Sequence, residues 1–151
     1  MSTEDNKAIA KQLLDAWNQN DFATIEDLFA SDYVNHNPPP MPGARGDREG
    51  QIQIMRYFRE AFPDGGAETL NLVAEGDKVV LHDKVSGTQQ GEFMGVPATG
   101  REVTIDFIHI FRIANGKIAE RWGLVDAMSL MTQLGAIPAP QPAGAEAGTR
   151  E

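Results

Sequence analysis

The 151-residue chain is 41% hydrophobic, enough to bury a core of its own in one domain without disulfides or metals. Thirteen Lys and Arg against 22 Asp and Glu leave a net charge of −9, a surface that repels nucleic-acid phosphates and anionic lipid head groups. With no cysteine, a disulfide framework, a thiolate nucleophile and a Cys-based zinc site are all excluded.

The opening MSTEDNKAIAKQ lacks the basic start and apolar run of a secretion signal, and no stretch of about 18 apolar residues follows, so the cytoplasm is the expected compartment. From Asp5 to Trp17, Ile9, Leu13, Leu14 and Trp17 recur at helical spacing. Phe22 to Ala30 reads as a short second helix with Ile25, Leu28 and Phe29 on one stripe, followed by Asn35 and His36 at the rim of whatever the helices cover. Residues 38–43, PPPMPG, predict a stiff loop. A third helix fits Asp47 to Phe62, stopped by Pro63, Asp64, Gly65 and Gly66.

Beyond this point the period changes to two. Leu70 to Ala74, Lys78 to Gly87, Thr88 to Phe93, Glu102 to Ile113 and Lys117 to Val125 read as strands of an antiparallel meander. Asp126 is the expected N-cap of a last helix through Leu134. Residues 138–151 have almost nothing to bury and read as a disordered tail behind one domain, 1–137. Helices before strands predict an α+β layer fold, with a curved antiparallel sheet packed on three to four helices.

The strand from Val103 to Ile113 is apolar on both faces, so one is expected to meet the helices and the other a second copy of the chain, as a homodimer. His109 is the polar member of an apolar face, and its side chain titrates in the range useful for proton transfer. Its cross-strand neighbour depends on the turn at Asn115 and Gly116: a two-residue loop pairs His109 with Trp122, a three-residue loop pairs it with Arg121. A slip of one residue turns the strand over. Asp83 and Lys84 are adjacent and point to opposite faces, so one faces inward or the strand bulges; a sheet edge or subunit contact is the preferred place for that charge. His36, His82 and His109 share no ligand spacing, so no metal is expected.

Several segments together resemble one family: Leu14 to Asn18, Leu28 to Pro38, the AFPD ending at Asp64, Val73 to Asp77, Gly91 to Arg101, and Phe111 to Gly123 with Asp126. The chain resembles the SnoaL-like polyketide cyclases of the nuclear transport factor 2-like superfamily across residues 7 to 135. That resemblance implies a cone-shaped barrel whose pocket closes a polyketide ring by acid/base chemistry, without metal or cofactor. It implies Trp17 and Asn35 in the pocket with His109, favours the three-residue turn, and puts Arg121 and Gly123 on the inner face with Trp122 outward. Gly123 departs from the family, whose acid/base aspartate stands at that position.

The resulting expectation is an enzyme acting through an enolate on a small apolar carbonyl compound. His109 and Asp126 are the catalytic candidates; Trp17, Asn35, His36, Phe58, Phe93, Phe107 and Arg121 are the substrate-binding candidates. Two alternatives stand beside it: a dimeric module that binds a small molecule without catalysis, and an epoxide hydrolase built on Asp106, Arg121 and Asp126.

Overall fold

The computed structural model describes residues 2–138, so the expected tail lies, beyond residue 138, outside the described residues. Four helices each begin on a side chain that accepts from the first turn. Ser2 and Asp5 form a capping box for α1 (Thr3–Asn18), Asp21 caps α2 (Phe22–Leu28), Asp47 caps α3 (Arg48–Ala61), and Asp126 caps α4 (Ala127–Gln133). Such a cap contributes about 1 kcal/mol by satisfying a backbone N–H that the helix leaves open. The helix expectations hold to within two residues at each end.

Five strands form one curved sheet in the order β1-β5-β4-β3-β2: β1 (Phe29–Asn35), β2 (Gly66–Glu75), β3 (Lys78–Thr88), β4 (Glu102–Ala114) and β5 (Lys117–Val125). β2 to β5 run antiparallel as expected, and β1 joins the edge parallel to β5. The sequence reading has no strand at Phe29–Asn35, because only Phe29, Tyr33 and Asn35 are buried there and the exposed residues between them break the apolar alternation.

Thr88 to Phe93, expected as a strand, is a loop built around Gln89. That side chain is fully buried, donates to the Gly91 and Val96 carbonyls, and accepts from the Thr99 amide and hydroxyl. With its amide satisfied on both ends, the loop folds back as a turn through Met94 and Gly95, both at positive φ, and buries Phe93.

Helices α1 and α2 pack on the inner sheet face through Ile9, Leu13, Leu14 and Ile25 against Val79, Leu81, Phe111 and Ile118. A second cluster gathers Phe62, Phe93, Val103, Ile105, Leu130 and Leu134 at the far end. Arg59 joins the two helical layers: it lies over the Trp17 ring at 4.1 Å and donates to the carbonyls of Trp17, Pro63 and Gly65. Between the two clusters the sheet curves away from the helices, leaving a cavity of about 530 Å³.

Candidate active site: a polar row across an apolar cavity

Which β5 residues face the cavity is decided at the β4–β5 hairpin. Asn115 and Gly116 both have positive φ and close a two-residue turn with Ala114 opposite Lys117 and Ile113 opposite Ile118. The register then shifts, because Ala119 is an extra residue and Arg112 pairs with Glu120. As a result His109 stands opposite Gly123, and Phe111 opposite Arg121. Neither turn expectation gives this pairing. The bulge reaches the inner-face arrangement by another route: Arg121 and Gly123 line the cavity, and Trp122 points outward and stacks on His36.

The cavity walls are apolar, and the candidates Trp17, Phe58, Phe93 and Phe107 are among the residues that line them. One polar row crosses the sheet beneath them, each member from a different strand. Asp83 on β3 stands 3.3 Å from His109 Nε2 on β4; His109 Nδ1 accepts from Arg121 Nε on β5 at 2.9 Å; Arg121 Nη1 donates to Asn35 Oδ1 on β1 at 3.2 Å. The row continues into the core, where Gln51 Oε1 accepts from Asn35 Nδ2 and from the Tyr33 hydroxyl. Burial pushes the Tyr33 hydroxyl well above the ordinary phenol range, so it stays a donor.

An arginine has only donors, so His109 Nδ1 carries the lone pair and the ring proton sits on Nε2, toward Asp83. Burial, first of all, holds the His109 pKa below its ordinary value; Asp83 opposes this and the Arg121 charge adds to it. Phe107 and Phe111 stack on the two faces of the ring at 5.5 and 5.2 Å. His109 is therefore a neutral, fixed imidazole between a carboxylate and a guanidinium.

Asp83 corrects the preference for an edge or interface charge. It is 3% exposed and lines the cavity, and its Oδ1, apart from the close approach of His109, has no hydrogen-bond partner. The signal was present in β3: Val79, Leu81, Asp83 and Val85 form one alternating set, and the apolar members carry the aspartate inward with them. Lys84 points the other way, opposite Asp106.

Two site candidates stand elsewhere. Asp126 is exposed, its carboxylate occupied by the Ser129 amide of α4, and it is not among the residues lining the cavity. His36 is on the outer face, 2.6 Å from Glu120, because β1 ends at Asn35 and the next side chain turns outward. The hydrolase set of Asp106, Arg121 and Asp126 is not assembled: Asp106 pairs with His82 on the outer face at 2.9 Å. Each histidine thus has its own carboxylate neighbour.

At Gly123 an added Cβ would overlap the Arg121 guanidinium, standing 2.5 Å from its central carbon. The Arg121 side chain, 7% exposed, lies across the glycine, and its Nη2 has no acceptor among the described residues.

These features define a class: an α+β protein in which a curved sheet and its helices enclose a ligand-sized apolar cavity with polar groups converging on one wall. The family model for SnoaL-like polyketide cyclases matches residues 7–134, and the chain belongs to that family. Among its relatives, the aklanonic acid methyl ester cyclase DnrD of Streptomyces peucetius is 27% identical over 150 residues, which cover 95% of this chain and 98% of the relative. Among solved structures, AclR of Streptomyces galilaeus, described as a candidate hydroxylase, superposes with a TM-score of 0.81 at 30% identity, covering 93% of this chain and 87% of that one. TsrD of Streptomyces laurentii superposes at 0.80 with 29% identity over 91% of this chain and 99% of that one.

Proposed function

We propose that this protein is a cofactor-independent cyclase that closes a ring in an apolar, polyketide-type ester or ketone through an enolate. The observation that carries the reading is the buried Asp83–His109–Arg121 row on the wall of an otherwise apolar cavity. A proton leaves carbon next to a carbonyl only if a base receives it and a donor holds the developing oxygen charge, and both kinds of group face the same space here. Trp17, Phe58, Phe93 and Phe107 supply flat apolar walls that fit fused rings and keep out water. The proton is handled at the His109–Asp83 pair, with Asp83 in the place first given to Asp126. The name of the relative DnrD, a methyl ester cyclase, agrees in reaction type.

The protein acts as a homodimer through the outer sheet face. Val73, Ile108 and Leu124 lie on that face 56%, 46% and 75% exposed, more apolar surface than a lone sheet face usually leaves to water.

The test is incubation of the purified protein, without added cofactor, with a panel of linear and partly cyclised aromatic polyketide methyl esters. A product of unchanged mass with one more ring is the expected result. Binding of every compound with none converted overturns the reading in favour of a storage module.

A further inference from the structure

Resting on the cyclase reading, we infer that Asp83 is the proton acceptor and that the Arg121 Nη2 group holds the substrate oxygen, Gly123 being the residue that makes room for it. His109 cannot serve as the acceptor while Arg121 donates to Nδ1, because its other nitrogen already carries the ring proton. Asp83 has a buried carboxylate oxygen without a hydrogen bond, in a cavity wall where few other groups can take a proton. A buried, unsatisfied acceptor costs folding energy, and a catalytic role is one reason a protein keeps one. Arg121 in turn has two of its three nitrogens engaged by His109 and Asn35, which aim the guanidinium, and a third left over beside Gly123.

The resemblance to the cyclases put an aspartate where Gly123 stands. Here that space is taken by the Arg121 guanidinium, and the carboxylate in the cavity wall comes from another strand. The base comes from β3 and the donor reaches in from β5. The chemistry balances without another reactant. The Asp83 carboxylate takes the proton from the carbon alpha to the carbonyl, and the C–H electron pair moves into an enolate whose oxygen receives an N–H from Arg121. The enolate carbon forms the new C–C bond to a second carbonyl of the same molecule. The alkoxide so formed takes the proton back from the Asp83 carboxyl. His109, its Nε2 3.3 Å from Asp83 Oδ1, is a positioning residue that faces the carboxylate between the two transfers.

The experiment has a binding arm and an exchange arm, both on the full chain. Para-nitrophenol, whose absorbance distinguishes phenol from phenolate, serves as the oxyanion probe, and beta-tetralone in deuterated water as the enolisable ketone. Wild type is expected to bind the phenolate. Arg121→Met should weaken that binding and slow deuterium uptake about 100-fold. Asp83→Asn should tighten phenolate binding about tenfold, since a negative charge beside the site is gone, while slowing uptake about 10³-fold. Asp83→Ala with added formate should regain part of the uptake, which separates a lost base from a damaged fold. Uptake in Asp83→Asn within tenfold of wild type overturns the inference and leaves the cyclase reading standing. Wild type that binds the phenolate but exchanges no proton sinks both.

Discussion

The Arg121 guanidinium occupies the space that a side chain at position 123 would need: a Cβ on Gly123 would lie 2.5 Å from its central carbon. This one relationship separates the site from a cyclase with a carboxylate on β5.

Gly123→Ala should therefore act on the site before it acts on the fold. The obstructing atoms are the far end of a flexible side chain, so Arg121 swings away and gives up its bonds to Asn35 and His109. The expected cost is about 1–3 kcal/mol in chemical unfolding, with weakened phenolate binding.

His109 should titrate below its ordinary value by NMR, because burial outweighs the nearby carboxylate. The groups facing it are Asp83 on β3 and Arg121 on β5. Arg121→Met removes the charge that lowers its pKa and should move the titration upward. The folded pKa lies below the unfolded one, so the unfolded chain binds the extra proton. The stability this group contributes is complete above about pH 6.5 and is lost as pH falls from there through the folded pKa.

Asp126→Ala should cost about 1 kcal/mol of thermal stability and leave deuterium uptake within a few-fold of wild type, because the carboxylate caps α4 and faces solvent. A loss comparable to Asp83→Asn would return Asp126 to the site.

The proposed dimer predicts that wild type runs as a dimer by light scattering and Ile108→Glu as a monomer at the same concentration, with the phenolate site intact. Ile108 and His109 point to opposite faces of β4, so a charge on one side of the sheet leaves the other side's packing in place.

The helices and the central strands were legible because their signals are local. A cap residue, an apolar stripe at helical spacing and a period of two are written within a dozen residues, as in Asp47 ahead of α3 or Val103 to Ile113 in β4. The apolar walls followed for the same reason. β1 and the loop around Gln89 were not legible: the first is a strand only because β5 lies beside it, and the second holds its shape through an amide satisfied by residues two to ten positions away.

His109 and Arg121 could be named from sequence, but their meeting could not. It depends on one extra residue, Ala119, absorbed after a turn that would otherwise have turned the strand over. The alternation of Val79, Leu81, Asp83 and Val85 marks Asp83 as sharing the apolar face, but which of Asp83 and Asp126 reaches the cavity is decided by the tertiary structure. Burial separates them: the sheet carries Asp83 under the helices without a full set of partners, and the helix it starts gives Asp126 a partner in water.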